Sequence, residues 1–139
     1  MSDQKITFKI ITPQKQVYES VVDEILLPTT SGPISVLARH VGMISLIKSG
    51  ELIVRKDGEE IVHHVHKGIL EVKPGSRVNV LADSADHINE LDEEKILEAK
   101  KRVEKILEDK DNLDEVQFAR VEDSLMRELS RLNTYKKYR

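Results

Sequence analysis

Three histidines that lie close together are the residues of this chain best placed to do chemistry. Alternate side chains of a strand share a face, so His64 and His66 point to one side of a strand and His63 to the other. Imidazoles on one face can hold a metal, and a metal-dependent hydrolase would use all three. A histidine pair on an exposed hairpin is usually ordinary surface, and the sequence favours that interpretation.

Other catalytic and ligand-binding motifs are incomplete. Ser31-Gly32-Pro33 lacks the lysine and the hydroxyl residue of a phosphate-binding loop, and no helix follows it. A later acidic run begins like a calcium loop, but Asp114 stands where a glycine must turn and Arg120 replaces the bidentate glutamate. No nucleophile, base and oxyanion donor come together, so the sequence predicts a protein that is not an enzyme.

The composition of the chain excludes several further classes of function. The chain has 139 residues, a formal net charge of -3 and no cysteine. An acidic balance argues against nucleic-acid binding, and the lack of cysteine excludes disulfides, thiolate zinc sites and a nucleophilic thiol. The polar start MSDQKITFKI has no targeting signal, and no apolar run approaches the roughly 20 residues needed to span a bilayer. We expect a soluble, intracellular protein that can still dock on a membrane assembly.

The first part of the chain, which we delimit as residues 1–85, reads as short β-branched runs separated by turns. All six glycines and all four prolines lie in it. Asp57-Gly58 and Pro74-Gly75 predict tight turns, because glycine accepts a positive φ. Many short strands with no helix between them predict an antiparallel β-sandwich. The expected strands are Ile6–Thr12, Val21–Leu27, Ile34–Leu37, Ile44–Ile47, Leu52–Arg55, Ile61–His66, Ile69–Lys73 and Arg77–Leu81.

Residues 86–139 follow a different pattern, with many charges and neither glycine nor proline. Apolar residues recur at helical spacing on both sides of a polar break at Asp109–Asn112, which predicts an antiparallel two-helix hairpin. The two stripes are Ile96, Ala99, Val103, Ile106 and Leu107, then Phe118, Val121, Leu125, Leu129 and Leu132. Such a hairpin has too little apolar surface to be stable alone, so we expect it to pack on the sandwich or on another protein and to switch between the two.

The second helix carries a row of arginines. Arg120, Arg127 and Arg131 fall within about 40° of one another, opposite the apolar stripe. This arginine row is either a solvated face or a docking surface for an acidic partner. It is continued by Lys136, Lys137 and Arg139.

Several short segments, in their order and spacing, resemble the bacterial-type epsilon subunit of the F-type ATP synthase over almost the whole chain. The segments are Ile10-Ile-Thr-Pro13 with Tyr18, Leu27-Pro-Thr-Thr-Ser-Gly32 leading to His40, Leu46-Ile-Lys-Ser-Gly-Glu-Leu52, Gly68-Ile-Leu-Glu-Val72, Val80-Leu-Ala-Asp83, Leu91-Asp92 through Lys100, and Leu125-Met-Arg-Glu-Leu-Ser-Arg-Leu132.

The resemblance implies a non-catalytic rotor subunit in the central stalk of a proton-translocating synthase. The sandwich would bind the gamma subunit and rest on the ring of c subunits, with His40, Val41 and Met43 near that contact. The protein would be peripheral, at the cytoplasmic face of the bacterial plasma membrane, and would meet the membrane only through the complex. The alternative is a β-sandwich adaptor with a helical arm in an unrelated complex.

The resemblance also implies a regulatory role for the hairpin, which would fold against the sandwich or extend along gamma into the alpha and beta catalytic head. There it would restrain ATP hydrolysis, with an acidic segment of beta meeting Arg120, Arg127, Arg131, Lys136 and Lys137.

Some bacterial members of the family bind regulatory ATP at a motif of the form Ile/Leu-Asp-x-x-Arg-Ala. Here Asp92 and Lys95 take the places of the aspartate and the arginine, and lysine lacks the planar fork of arginine. No other cofactor is expected. The chain also departs from the family where Ser35 and Lys67 replace glycines and where Ala38-Arg39 replaces Pro-Gly.

Overall fold

The structure, a computed structural model, describes residues 4–138 and divides them into two compact units, with the division between His87 and Ile88. The first unit contains eight strands, as predicted for a β-sandwich. Their bounds are β1 Ile6–Ile11, β2 Gln16–Val22, β3 Glu24–Thr29, β4 Gly32–Leu37, β5 Met43–Ile47, β6 Gly50–Lys56, β7 Glu59–Lys73 and β8 Arg77–His87.

The strands follow the order β2-β1-β8-β7-β5-β3-β4, and β6 pairs with both β3 and β7. Every pairing is antiparallel except that of β1 with β8, which is parallel. These two strands are distant in the chain, so no local pattern could predict their direction. The aliphatic side chains enclosed by the strands form the core, together with Phe8.

Three of the predicted strands are divided or joined in the structure, and the others differ only at their ends. The predicted run Val21–Leu27 is divided between β2 and β3 at Asp23, whose carboxylate bonds Lys5 and the backbone N–H of Asp57. The predicted strands Ile61–His66 and Ile69–Lys73 belong to one strand, β7. The turn at Asp57-Gly58 is confirmed, with φ of 51° and 83°.

β7 and β8 remain paired across an irregularity at Lys67. Lys67 has a φ of 52° and, like the opposite Asp83, is left out of the β7–β8 ladder. Before this point odd-numbered residues such as Val65 face the core, and after it even-numbered residues such as Leu70 face the core. At Gly68 the two strands approach so closely that an added Cβ would lie 2.2 Å from the Leu81 carbonyl oxygen, so only glycine fits.

The second unit is the predicted two-helix hairpin. It contains α1 (Glu93–Glu108) and α2 (Glu115–Tyr138), with short 3₁₀ turns at Ile88–Glu90 and Lys110–Asn112. Between residues 4 and 138, neither helix has an apolar stretch of the length that crossing a membrane requires.

Polar side chains set where α2 begins and what it buries. Asp114 and Gln117 bond each other's backbone N–H groups at 2.7 and 3.0 Å, which is a capping box. The predicted apolar stripe is wrong at Leu129, which is exposed, while Glu128 and Thr134 are buried. Successive helical residues lie about 100° apart, so the burial of Glu128 turns Leu129 away from the inward face.

Candidate partner-binding surfaces

Aliphatic side chains line up across four neighbouring strands on the outer face of the sandwich. Leu46 of β5 stands opposite Ile69 of β7, Ile69 stands opposite Leu81 of β8, and Leu81 pairs with Ile11 of β1. Directly paired residues point to the same side of a sheet, so these four side chains form one continuous apolar row. Leu46, Ile69 and Leu81 are exposed and Ile11 is partly exposed.

The apolar row extends at both ends. Beyond Leu46, Ile44 of β5 is 74% exposed, and Val41 in the preceding loop is 75% exposed. At the other end is a shallow depression of about 320 Å³. Its lining residues are Ile11, Thr12, Pro13, Leu81, Ala82 and Asp83. A contiguous exposed patch of this kind marks a protein-interaction site more often than single exposed aliphatics do.

The sequence assigns three residues to the gamma and c-ring contact. His40 and Val41 lie in the loop between β4 and β5, and Met43 is the first residue of β5. The side chain of Val41 is exposed to solvent, whereas His40 is partly exposed and Met43 packs against the core. The Nδ1–H of His40 donates to the Val41 carbonyl at 2.8 Å, which leaves Nε2 as the ring atom that a partner can reach. Arg39 precedes them with a φ of 65°, and the Ser76 hydroxyl accepts from its N–H at 2.8 Å.

The arginine row of α2 is not a uniformly solvated face. Arg120 is exposed, but Arg127 and Arg131 both pair with the buried Glu128, at 3.1 Å. Lys136 and Lys137, also assigned to the acidic partner, are exposed near the end of α2. Arg139, which continues the row in the sequence, lies outside the described residues.

The histidines differ from the surface residues that the sequence favours. His63, His64 and His66 are all buried, so the prediction of an exposed pair is wrong. His66 Nδ1 is hydrogen-bonded to the Ser49 hydroxyl. Within residues 4–138, no group of three or more histidines, cysteines and carboxylates is arranged to hold a metal.

His63 lies among aromatic rings inside the sandwich. Its ring centroid is 5.3 Å from that of Tyr18 and 5.2 Å from that of His87, both in edge contacts. Burial, with a smaller contribution from the charge of His87, lowers the pKa of His63 from 6.5 to about 4. His63 is therefore a neutral core residue at physiological pH.

Asp92 and Lys95, the residues matched to the ATP-binding motif, stand at the start of α1. Asp92 is the N-cap, and its carboxylate accepts from the Lys95 N–H at 3.3 Å. The side chain of Lys95 is exposed, and Leu91 and Ile96 beside the pair are buried. Helix capping accounts for Asp92, and ATP binding here stays a prediction.

The apolar row is the feature that sequence reasoning missed. Its members come from four strands whose register no local pattern specifies, and two of those strands pair in parallel. A signal was present in β5, where Ile44 and Leu46 alternate with Met43, Ser45 and the buried Ile47. Apolar residues on both faces of one strand indicate that each face has something to bury.

The described residues thus form a β-sandwich with an exposed apolar row, followed by a charged two-helix hairpin. The family model for the ATP synthase Delta/Epsilon chain beta-sandwich domain matches residues 5–88. The ATP synthase epsilon chain of Psychrobacter cryohalolentis is 36% identical over 132 residues, 94% of each chain. That of Dehalococcoides mccartyi is 36% identical over 135 residues, 97% of this chain and 95% of the relative. The chain therefore belongs to the ATP synthase epsilon-chain family.

Solved structures agree with the fold. A chain of the Euglena gracilis mitochondrial ATP synthase (OSCP/F1/c-ring) has a TM-score of 0.72 at 20% identity and is matched over 91% of this chain and 79% of its own. A chain of the Tetrahymena thermophila mitochondrial ATP synthase central stalk and c-ring has a TM-score of 0.56 at 15% identity, over 97% and 96%. At these identities the likeness concerns the fold alone.

Proposed function

We propose that this chain is a non-catalytic central-stalk subunit of a proton-translocating F-type ATP synthase, peripheral to the bacterial plasma membrane. Its sandwich couples the gamma subunit to the c-ring. The single observation that carries this proposal is the apolar row of Leu46, Ile69, Leu81 and Ile11. Membership of the epsilon-chain family supplies the identity of the partners.

The geometry of the apolar row suits a protein partner. The row crosses four paired strands of a sheet, so binding a partner there does not carry the entropy cost of ordering a loop. The depression beside Leu81 accepts an apolar side chain from gamma, and the exposed Asp83 at its edge can pair with a cation on the partner. Gamma therefore covers the row, and the loop with His40 and Val41 reaches toward the c-ring.

A charge placed at the centre of the apolar row tests gamma binding. Ile69→Lys should weaken binding to the purified gamma subunit by at least about tenfold, since it leaves an ammonium buried in an apolar contact. The matched control is Val21→Lys, because Val21 is also an exposed aliphatic residue but lies on β2, outside the row. Binding that is equally strong for both variants would place the gamma contact elsewhere.

The second part of the proposal concerns the hairpin, which restrains ATP hydrolysis by binding an acidic segment of the beta subunit. The arginine row of α2 supports it, since guanidinium groups pair with carboxylates in a bidentate fork. Removal of residues 89–139 should raise ATP hydrolysis by the reconstituted catalytic head with its gamma subunit. Unchanged hydrolysis would refute the inhibitory role while leaving gamma binding intact.

A further inference from the structure

Glu128 is an acidic residue in the middle of a surface assigned to an acidic partner. It is 3% exposed, and a carboxylate so deeply buried must be compensated by positive charge and hydrogen bonds. Both come from its own helix. The Arg127 Nε donates to Oε2 at 3.1 Å, and the Arg131 Nη1 donates to Oε2 at 3.1 Å and to Oε1 at 3.4 Å.

The arginine row is thus divided into two parts. Arg120 is exposed and lies two helical turns before Arg127, outside the reach of Glu128. The side chains of Arg127 and Arg131 are only 37% and 21% exposed, and both are bonded to a carboxylate already. In the conformation of α2 seen here, only the first part of the row is ready to bind.

We infer that Glu128 acts as an internal competitor for the acidic partner, holding Arg127 and Arg131 for as long as it stays buried and ionised. The inference rests on the proposed inhibitory function and specifies how it is controlled. A partner carboxylate that took these two arginines would leave Glu128 buried without compensation. The partner can gain them only when Glu128 returns to water or loses its charge, so this conformation and partner binding exclude each other.

The test compares two glutamate substitutions on the same helix. Glu128→Gln keeps the size of the side chain, and a neutral amide can stay buried without both arginines. Glu122→Gln makes the same change of charge at an exposed position. The concentration of full-length chain that half-inhibits ATP hydrolysis by the reconstituted head should fall about tenfold for Glu128→Gln and about twofold or less for Glu122→Gln.

A direct binding measurement separates this inference from the proposed function. Hexaglutamate peptide is titrated against the full-length chain and followed by NMR of the arginine Nε–H groups. Glu128→Gln should bind it about tenfold more tightly than wild type, with the change concentrated at Arg127 and Arg131. A wild-type chain that fails to inhibit the head refutes the inhibitory function, whereas the peptide still tests the competition.

Two results would overturn the inference. Equal effects of Glu128→Gln and Glu122→Gln would show that net charge alone matters. Weaker binding by Glu128→Gln would show that Glu128 orients the arginines for the partner. Circular dichroism checks the fold of each variant. If Glu128→Gln does not fold, Glu128→Asp replaces it, since the shorter carboxylate cannot hold both guanidinium groups, and about threefold tighter binding is expected.

Discussion

The burial of His63 predicts that the sandwich loses stability in mild acid. The pKa of His63 is about 4 in the folded chain and 6.5 when the residue is solvated, so between these values the unfolded chain binds the extra proton. The contribution of His63 to stability is therefore complete above pH 6.5 and is lost as the pH falls toward 4. From about pH 7.5 to about pH 5, the free energy of unfolding should fall by about 2 kcal/mol through this residue alone.

The assay is urea unfolding at several pH values, followed by the NMR signals of β7 amides, which report on the sandwich unit. His63→Leu removes the proton-binding group with little change of volume, so the fall in stability should become smaller by about 2 kcal/mol. The control is His40→Leu, because His40 lies in the partly exposed loop after β4. Identical pH dependence of wild type and His63→Leu would refute the reasoning, whatever the behaviour of the control.

Three further substitutions test local features of the fold. Gly68→Ala should cost about 3 kcal/mol or more in thermal unfolding, because its Cβ would lie 2.2 Å from the Leu81 carbonyl oxygen; a loss below about 1 kcal/mol would contradict the close approach of the strands. Arg39→Gly should raise the free energy of unfolding by about 1 kcal/mol, since Arg39 has a φ of 65°, and a destabilised variant would argue against this strain. Asp114→Ala should cost about 1 kcal/mol and speed hydrogen exchange in the first turn of α2, and unchanged exchange would show that the bonds with Gln117 do not fix the helix start.

Local chemistry explains which parts of the fold could be predicted from the sequence. The turn at Asp57-Gly58 and the change to helical periodicity both depend on residues close together in the chain, and both predictions are confirmed. The sequence predicts two strands in place of β7, because Lys67-Gly68 has the residue pattern of a break between strands. The structure instead keeps the ladder and leaves Lys67 at a positive φ within it.

The functional surfaces were harder to predict because they depend on contacts between distant residues. Helical spacing predicts the arginine row. It cannot show that Glu128 is buried and bonded to Arg127 and Arg131. The sequence predicts solvent-exposed histidines, because a short polar run in a hairpin is usually solvated. In the structure every residue of β7 from Val62 to His66 is buried, so both faces of the strand are covered there. Only the register of β1, β5, β7 and β8 brings the apolar row together.

Two of the three positions where the resemblance predicts a glycine have the backbone conformation that favours glycine. Arg39 and Lys67, which the resemblance matches to glycines of the family, both adopt a positive φ, whereas Ser35, the third such position, lies in β4 and does not. The backbone shape is thus retained although the residue that accommodates it most easily is absent. The strain lies at two bends of the sandwich, one of them next to the His40 loop.

The central part of the fifteen-residue strand β7 is paired on both sides. β8 pairs with the strand from His63 to Lys73, while β6 pairs with its first half and β5 with its second half. Residues 63–65 and 68–72 of this strand cannot detach without breaking ladders to two neighbours, so we expect the middle of the sheet to open in a single concerted event. If gamma binds the apolar row as proposed, a force applied at Ile69 would be shared by the strands on either side of β7.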